Sequence, residues 1–484
     1  MGAGSLSHKA LFAAKIESSE GTAETLVSAD MLPVLAPLFP VLEMDSNERD
    51  LLRGTLTLPE DIAGTKGGTI SPQLELAGPK ASSWPTAPHF DILLRAGGFK
   101  RVRPTAGTYC ARIKIGTTWT TGNYLPNGTV ITFGATSSAT ARVYGDYYEG
   151  DAAIFYELLT GTPNVADIQL TASGIDIPIS GAGNAADEAF IYHPYDREVS
   201  SIHLSSVTSG PIAVGDELLG ATSGARAYAV QATSGAGAQD LYYELFEDSG
   251  NFVSGEDIDV VGGSASGATD AAPTQVDVPS LTVGHWDTQH TRLKGARCSP
   301  SLRLPNGERG VWTFAFNGIG MPPVDAIIPA WPGAPDAKAP TVVGSRLELL
   351  YYSSGAIQKT WLPLYKEASF SIENELTRVD FPGDTSTAGF QSTKITGRNV
   401  SGQLDPRTVK EAVFPVMGNA WDKNPCRFSG RVGASAGDGN TIEYQAPFVL
   451  FQSPNKDADS GLTRNAIPFQ CRGLNDDELF IFVW

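Results

Sequence analysis

The middle of this 484-residue chain carries one sequence pattern twice. The segment GATSSATARV begins at Gly134 and returns as GATSGARAYA at Gly220, 86 residues later, and IFYELL at Ile154 returns as LYYELF at Leu241. A repeat at this spacing fits two small modules of about 80 residues, each able to bury its own core. The chain therefore divides into a first module at 107–188, a second module at 206–283, and a frame formed by 1–106, 189–205 and 284–484.

Apolar and polar residues alternate in many segments, and this pattern predicts β-strands. The alternation is clearest in four segments, at 68–78, 345–352, 368–381 and 441–451. In the last of these, one side of the strand is predicted to face a core, through Ile442, Tyr444, Ala446, Phe448 and Leu450. The other side is predicted to face away from that core, through Thr441, Glu443 and Gln445.

Two short helices are predicted in the frame. Segment 89–99 carries Ile92, Leu93, Ala96 and Phe99 at helical spacing, and Gly97-Gly98 ends it. Segment 404–415 offers Asp405 as an N-cap, Pro406 at the first helical position and Pro415 as a stop. Many strands and few helices predict a mainly β fold: a sandwich or barrel frame with a few short flanking helices, plus two small all-β inserted modules.

The formal charge of −18 lies mostly in the repeated modules. The first module has three basic and eight acidic residues (−5), the second has Arg226 against eleven acidic residues (−10), and the frame has 31 against 34 (−3). Because faces that bind duplex DNA cluster Lys and Arg, the near-neutral frame argues against such a face. The acidic modules are interpreted as solvated surfaces.

Few motifs suggest chemistry. The segment HWDTQH places His285 and His290 five residues apart, which matches no common zinc pattern, and there is no nucleophile elbow or phosphate-binding loop. The four cysteines form no CxxC motif and fit a reducing cytoplasm. No apolar run reaches the ~18 residues of a membrane span, so membrane insertion is not predicted. We predict no catalytic residue, no metal ligand and no cofactor, and we predict that the chain is not an enzyme.

Outside the two modules, eight segments of the frame are informative when they are compared together in chain order. They are AAKIESSEGTAETL (13–26), ERDLLRGTLTLPEDIAGTKGGTISPQLELAG (48–78), DILLRAGGF (91–99), YHPYDREVSSIHL (192–204), HTRLKGARCSPSLRLPNGERGVWTFAFNGI (290–319), ASFSIENELTRVDF (368–381), KITGRNVSGQLDP (394–406) and NDDELFIFVW (475–484). This ordered set resembles the tail tube (major tail) proteins of long-tailed bacteriophages and covers about two thirds of the chain. The family's hallmark is a Lys-x-x-Gly-Ala-Arg turn followed by strands and FxFxG. Here the turn reads Leu293-Lys294-Gly295-Ala296-Arg297, a slight departure in spacing.

The resemblance implies a structural virion protein with a tail-tube-type β-sandwich or barrel frame. It implies hexameric rings that stack into a tube, an inner barrel built from the sheets of all six subunits, and delivery of DNA through that tube. The implied partners are further copies of the chain, the tape measure and tail-end proteins during assembly, and passing genomic DNA without sequence-specific binding. The implied location is the virion tail, assembled in the host cytoplasm.

Both modules fall in loops of this frame, where insertions are tolerated. In a tube whose interior must stay open, insertions of this size project outward, so the acidic modules would decorate the outside. We therefore expect that deleting 107–188 or 206–283 leaves assembly intact.

Two sets of residues are candidates for the tube. Ser371, Glu373 and Glu375 are candidates for the lumen face, with Phe370, Ile372 and Leu376 toward the core; exposure to bulk water is the equally weighted alternative. Segment 43–68 is interpreted as a loop reaching a neighbouring ring, and it orders on assembly. Its candidate residues are Glu48, Arg49, Asp50, Arg53, Glu60, Asp61 and Lys66.

Other functions stay open at this point. One is a different virion component, such as a distal tail or head-decoration protein. Another is a sugar-binding surface module, an adhesin that uses Tyr147, Tyr148, Tyr242 and Tyr243, although such aromatic strands more often form cores. The enzymatic alternative is a glycosidase with paired carboxylates, for which the sequence fixes no pair.

Overall fold

The computed structural model confirms a mainly β protein. Its strands form a 20-stranded sheet, two 7-stranded sheets and a two-stranded ribbon. The structure describes residues 11–35, 39–47, 62–78, 87–102, 110–115, 124–134, 139–148, 151–161, 169–172, 175–178, 187–233, 237–246, 249–287, 289–331, 340, 346–353, 356–380, 390–433, 440–459, 462–473 and 477–484.

The largest sheet belongs to the frame. Its strands before and between the modules are β1 (Leu11–Ile16), β2 (Met31–Leu32), β3 (Val34–Leu35), β4 (Val41–Asn47), β5 (Ile62–Ile70), β6 (Gln73–Glu75), β7 (Phe99–Val102) and β17 (Phe190–Pro194). Those after the second module are β25 (Leu281–Trp286), β26 (His290–Pro305), β27 (Val311–Val324), β28 (Arg346–Ser353), β29 (Ala356–Trp361), β30 (Tyr365–Asp380), β31 (Phe390–Pro406), β32 (Cys426–Val432), β33 (Ile442–Phe451), β34 (Asn455–Asp459), β35 (Leu462–Cys471) and β36 (Phe480–Val483). The described helices are α1 (Asp91–Ala96), α2 (Val416–Asp422) and a 3-10 turn at Ser28–Asp30.

One large apolar core lies against this sheet. Phe370 of β30 is at its centre, with ring centroids 5.2 Å from Phe428, 5.6 Å from Tyr444 and 5.5 Å from Phe469. These rings come from four different strands, so the core closes only when distant parts of the chain meet. α1 confirms the first predicted helix, and its Leu93 and Leu94 are fully buried in this core.

The predicted alternation in β33 holds for half of the strand. Ile442, Tyr444 and Ala446 are buried as predicted, but Phe448 is 38% exposed and Val449 is buried in its place. The reason is a β-bulge, because Phe428 pairs with Ala446 while Cys426 pairs with Val449. One extra residue on β33 turns the following side chains to the opposite face. The prediction for Phe448 and Leu450 was therefore wrong.

The helix predicted at 404–415 was also wrong. Residues up to Pro406 belong to β31, which pairs with β30 along its length and with β35 at 401–404. The helical residues begin at Val416, directly after Pro415, which is the N-cap of α2 rather than a stop. Two neighbouring ladders outweigh the local capping pattern at Asp405 and Pro406, since propensity is a weak determinant against tertiary pairing.

The two modules have the same strand order. The first contains β8 (Cys110–Lys114), β9 (Tyr124–Leu125), β10 (Val130–Gly134), β11 (Thr140–Tyr144), β12 (Tyr147–Tyr148), β13 (Ala153–Thr160), β14 (Gln169–Ala172), β15 (Ile175–Pro178) and β16 (Asp187–Glu188). The second contains β18 (Val199–Thr208), β19 (Glu217–Gly220), β20 (Arg226–Ala229), β21 (Gln239–Leu245), β22 (Asp257–Val260), β23 (Ser266–Thr269) and β24 (Thr274–Asp277). The sheet orders β15-β14-β10-β11-β13-β8-β16 and β23-β22-β19-β20-β21-β18-β24 correspond strand for strand.

In the second module, β18 also pairs with β23, and this contact closes six strands into a small barrel. The strand β18 begins at Val199, so residues 199–205, which the sequence analysis assigned to the frame, lie in the module's sheet. Val199 pairs with Asp277 at the far end of the module. The chain therefore leaves the frame and returns to it at one narrow place.

Candidate functional site

Several of the segments that carry the family resemblance meet around one buried arginine. Arg297 has no exposed surface, and its guanidinium contacts Glu20 at 2.9 Å and Glu198 at 3.0 Å. It also donates to the carbonyl oxygen of Thr393. Lys394 approaches Glu198 at 3.5 Å. Segments 13–26, 192–204, 290–319 and the strand holding KITGRNV thus share one ionic cluster.

The glycine of the Leu293–Arg297 motif has a defined role in this cluster. Gly295 adopts φ of 55°, and the pairing of β26 with β27 skips a residue between Lys294 and Arg297. The motif is therefore a β-bulge within a strand rather than a turn between strands. The buried Gly295 N–H donates to Glu17 at 2.8 Å, which holds the first strand segment against β26.

The charges of the cluster depend on one another. Burial lowers the pKa of Arg297, but Glu198 and Glu20 outweigh burial, so its net pKa shift is upward. Burial raises the pKa of Glu20, yet Arg297 and Lys394 outweigh it and hold that pKa below its usual range. Removing the arginine would therefore leave two partly buried carboxylates without their main counter-charge.

The lumen candidates Ser371, Glu373 and Glu375 lie on one face of β30, while Phe370 and Ile372 are buried on the other. Their cross-strand neighbours are also small or polar: Ser371 pairs with Ser301 and Ser401, and Glu373 pairs with Asn399. This exposed surface of β26, β30 and β31, here called the polar face, consists of Ser301, Arg303, Ser371, Glu373, Glu375, Asn399, Ser401 and Gln403.

The arginine of the polar face is neutralised locally. Arg303 Nε and NH2 donate to the two carboxylate oxygens of Glu367 at 2.8 and 2.7 Å. A bidentate ion pair of this kind leaves little positive field for a phosphate. Glu373 and Glu375 are exposed and add negative charge. The polar face can therefore sit beside a polyanion without attracting it.

Segment 43–68, predicted as a loop, is partly a β-hairpin. β4 pairs with β5 from Val41↔Thr69 to Asn47↔Ile62, so 43–47 and 62–68 of the predicted loop are strand residues. Glu48, Arg49, Asp50, Arg53, Glu60 and Asp61 lie outside the described residues. Lys66 is on β5, opposite Met44, and is partly exposed.

The hairpin exposes apolar side chains on an edge strand. Exposed fractions are 65% for Phe39, 53% for Val41, 38% for Leu42 and 61% for Met44. In the part of the chain that the structure describes, β4 pairs with β5 alone, so its second edge is open. These four residues are here called the β4 patch, in which Leu42 and Met44 share one face of the strand and Val41 lies on the other. An open edge with apolar side chains is a surface that pairs with another chain.

A second apolar surface lies beside α2. Exposed fractions are 58% for Leu362, 73% for Leu364, 51% for Val413 and 75% for Trp421. The contact between Trp361 and Phe414, with ring centroids 5.3 Å apart, joins the end of β29 to the segment before α2. These four residues are here called the α2 patch.

The two patches are far apart along the sheet. Leu42 of β4 pairs with Gly68 of β5, and Gly68 pairs in turn with Gly318 of β27. Gly318 lies between the residues of β27 that pair with Lys294 and Arg297, so the β4 patch is at this height of β26. Leu364 lies three residues before Glu367, which pairs with Pro305 at the other end of β26. The positions of Leu42 and Leu364 along the direction of β26 therefore differ by about twelve residues, which corresponds to roughly 40 Å at 3.3 Å per residue.

The first module is joined to the frame through a shared core. Phe155 of β13 stacks on Phe482 of β36, with ring centroids 4.0 Å apart and planes 7° apart, and Trp484 and Ile191 belong to the same apolar cluster. The guanidinium of Arg112 lies 4.0 Å from the ring centre of Trp484. This module therefore continues the hydrophobic interior of the frame.

Polar contacts reinforce that joint. Arg427 of the frame is buried and contacts Asp151 at 2.6 Å, and it donates to the carbonyl oxygen of Asp146 at 2.8 Å. Gln445 exchanges two hydrogen bonds with the backbone of Asp146, at 2.7 and 2.9 Å. Gly145 precedes this contact with φ of 91°, and a Cβ there would lie 2.4 Å from Gln445 Oε1.

A histidine lies within the same joint. The ring of His193 is 5.5 Å from Tyr144 of the first module and 6.2 Å from Phe480, measured between ring centroids. Its Nδ1 is 2.9 Å from the carbonyl oxygen of Pro194. Burial lowers the pKa of His193 to about 4, so the neutral imidazole is the form that fits the joint.

The second module has its own core, and the contacts that join it to the frame, here called the neck, are polar. Its buried cluster draws only on residues between Ile202 and Ala265. At the neck, Arg95 donates to the carbonyl oxygen of Val276, and Lys100 contacts Asp277 at 3.5 Å. No frame residue is a member of the described core cluster of this module.

The tyrosines considered for sugar binding do not form a platform. Tyr147, Tyr148 and Tyr243 are buried, at 4%, 1% and 0% exposure, and only Tyr242 is partly exposed. Their strands are core strands, as the sequence pattern favoured, and the alternative of a four-tyrosine sugar platform loses three of its four side chains. The period-two pattern contained this information, since adjacent residues on a strand cannot share one face.

His285 and His290 are both buried at the end of the β25–β26 hairpin, where His290 stacks on Trp286 at 3.9 Å between ring centroids. The described residues contain no group of three or more His, Cys, Asp or Glu arranged to hold a metal ion. No helix within the described ranges combines the length and the apolar character needed to cross a membrane.

The sequence did not predict the two apolar patches, nor that the first module shares a core with the frame while the second does not. A weak indication existed in the aromatic C-terminal strand FIFVW, whose two faces are both apolar and therefore both need cover. Searches with this sequence find no matching protein-family model and no significantly similar curated protein.

Proposed function

We propose that this chain is a structural subunit that associates head to tail into rings and stacked tubes, as the tail tube of a long-tailed bacteriophage. The observation that carries the proposal is the pair of unlike apolar patches at opposite ends of the frame sheet. Monomeric proteins rarely expose such patches unless they bind something. In the proposed assembly, each patch binds the other patch of a neighbouring copy, and a head-to-tail contact of this kind closes into rings or continues as a filament.

The polar face supports the DNA conduit in this proposal. A wall that lets DNA pass must not hold phosphates, because Lys and Arg rings bind DNA through release of counterions. The polar face carries serine, asparagine and glutamine, one neutralised arginine and two glutamates. Under the proposal, Ser371, Glu373 and Glu375 line the lumen of a hexameric ring, and the acidic modules lie outside.

The resemblance in sequence is the ground for proposing this kind of assembly, and the contacts at Arg297 support treating the resembling segments as one frame. In the proposed setting, the tape measure and tail-end proteins are assembly partners, and the location is the virion tail. A distal tail or head-decoration protein is the alternative. It would form a single ring or bind a capsid instead of forming open tubes.

The experiment combines negative-stain electron microscopy with mass measurement of the purified chain over a range of concentrations. We expect six-fold rings or tubes that become more abundant with concentration. Met44→Lys in the β4 patch and Leu364→Lys in the α2 patch should each block assembly. Val214→Lys, at a residue of the second module that is 65% exposed, is the matched control and should assemble like the unaltered chain.

Mixing the two blocked variants tests the head-to-tail contact itself. Each variant retains the patch that the other has lost, so the mixture can form one productive junction and should yield 1:1 dimers without tubes. A contact between identical patches would instead give no new species on mixing. A chain that stays monomeric at all concentrations, with both variants behaving alike, contradicts the proposal.

A further inference from the structure

The second module carries an exposed set of side chains that its fold does not require. On β19, β20 and β21, cross-strand pairs place Glu217, Tyr228 and Glu244 in one row. Leu219 pairs with Arg226 in the next row, and the backbone N–H of Phe246 donates to the carbonyl oxygen of Arg226. All six side chains lie on the outside of the barrel, opposite the buried Leu218, Ala227 and Tyr243. They are here called the aromatic grid.

The rings and charges of the grid are in mutual contact. Tyr228 is 49% exposed, and its ring centroid lies 4.5 Å from that of Phe246. The guanidinium of Arg226 lies 5.2 Å from the centre of the Phe246 ring and forms an ion pair with Glu217. The result is a shallow surface with two rings, two carboxylates and one guanidinium within a span of three strands.

The first module serves as an internal control for this surface. In the corresponding strands of the first module, one row of cross-strand neighbours consists of Val130, Arg142 and Glu157. The next row consists of Thr132, Thr140 and Thr160. No aromatic side chain occupies these six positions or Leu159, which matches Phe246 in the sequence repeat, although the strand order is the same. Folding of the module therefore does not explain exposed rings at Tyr228 and Phe246.

We propose that the aromatic grid binds an uncharged polysaccharide of a cell surface. The C–H face of a pyranose ring packs on exposed aromatic rings, and its hydroxyl groups donate to carboxylates and accept from a guanidinium. The module has one arginine against eleven acidic residues, so it repels nucleic acids, anionic lipids and acidic polysaccharides. An uncharged glycan is the extended ligand that matches both the chemistry and the charge.

The test is affinity electrophoresis of the full-length chain in gels that contain dextran, glucomannan or galactomannan. We expect at least one of these polysaccharides to retard the chain. Tyr228→Ala combined with Phe246→Ala should weaken the apparent affinity at least tenfold, and Tyr228→Phe alone should retain most of it because the ring remains. Arg142→Ala combined with Leu159→Ala, at the equivalent positions of the first module, should leave binding unchanged.

Two results would overturn this inference. One is the absence of retardation by every uncharged polysaccharide, and the other is retardation that the double alanine variant retains. Binding only to acidic polymers, removed by added salt, also contradicts it, because charge rather than the rings would then be responsible. The inference is independent of tube formation, which is scored by electron microscopy of the same samples.

Discussion

At the scale of single residues, the Arg297 cluster ties together segments that are remote in sequence. We predict that Arg297→Met lowers the free energy of unfolding by about 3 kcal/mol, because it leaves Glu20 and Glu198 partly buried beside each other without their shared cation. The matched control is Arg303→Met, which breaks an exposed ion pair with Glu367 and should cost less than about 1 kcal/mol. The measurement is the midpoint of urea-induced unfolding at low protein concentration; equal losses in the two variants would contradict the assignment.

His193 gives the joint of the first module a dependence on pH. An unfolded imidazole titrates near 6.5, whereas the pKa of His193 is about 4 in the folded chain. Between these values the unfolded state binds more protons, so stability falls as pH is lowered from 6.5 to 4 and the loss is complete below 4. A difference of this size corresponds to on the order of 3 kcal/mol.

The contribution of His193 is separable from that of the acidic groups. His193→Phe keeps a ring between Tyr144 and Phe480 but cannot be protonated. We expect the loss of stability between pH 7 and pH 4 to be smaller in this variant than in the unaltered chain, by the amount given above. Urea unfolding at both pH values measures it, and parallel losses in the two proteins would exclude the histidine as the cause.

Some residue positions could be predicted from the sequence and others could not. Ser371, Glu373 and Glu375 share an exposed face because period two is a property of the strand itself. The partners of Arg297 could not be derived, since Glu20 and Thr393 come from segments hundreds of residues apart. Nothing local in KGAR separates a turn from a bulge, and Gly295 permits both through its positive φ.

At the scale of elements, the strands follow local pattern until a neighbouring strand alters it. β30 keeps a regular alternation over Ala368–Glu373 because β26 and β31 pair with it on both sides without a shift there. β33 loses its alternation at the bulge opposite Arg427, where one residue is added relative to β32. The segment 404–406 is a strand for the same reason, since its pairing partners determine its conformation.

The polar face leads to a prediction about DNA. Glu373→Lys combined with Glu375→Lys places two new cations per subunit on this face, and rings of lysine bind phosphates. We expect tubes of this variant to retain duplex DNA at 50 mM salt and to release it at 200 mM, while unaltered tubes retain none. Asp257→Lys combined with Asp259→Lys makes the same charge change on the exposed side of β22. If both variants retain DNA equally, the result contradicts the proposal that the polar face lines the lumen.

At the scale of the whole molecule, two modules with one topology have different relations to the frame. In the first, Ala153–Tyr156 are buried on both faces because the C-terminal strand covers the outer one. In the second, the equivalent β21 buries alternate residues only, Leu241 and Tyr243. Phe155 of the first module corresponds to Tyr242 of the second, and this change from an apolar to a polar ring indicates the difference in burial. Its cause is the packing of β36 on the first module alone. The expectation that both modules are equally dispensable therefore needs revision.

Deletion of each module should give opposite results. Removing 107–188 would expose Phe482 and Trp484 and remove the Asp151 and Asp146 contacts of Arg427, so we expect an aggregated, unfolded product. Removing 199–277 with a short Gly/Ser link should leave the frame folded, because Val199 and Asp277 are paired neighbours and the deleted core draws on no frame residue among those described. Circular dichroism, thermal unfolding and electron microscopy of both deletions measure the difference. A folded, tube-forming product from the first deletion would show that the frame closes its own core, and an unfolded product from the second would show that the neck, rather than the barrel, stabilises the frame.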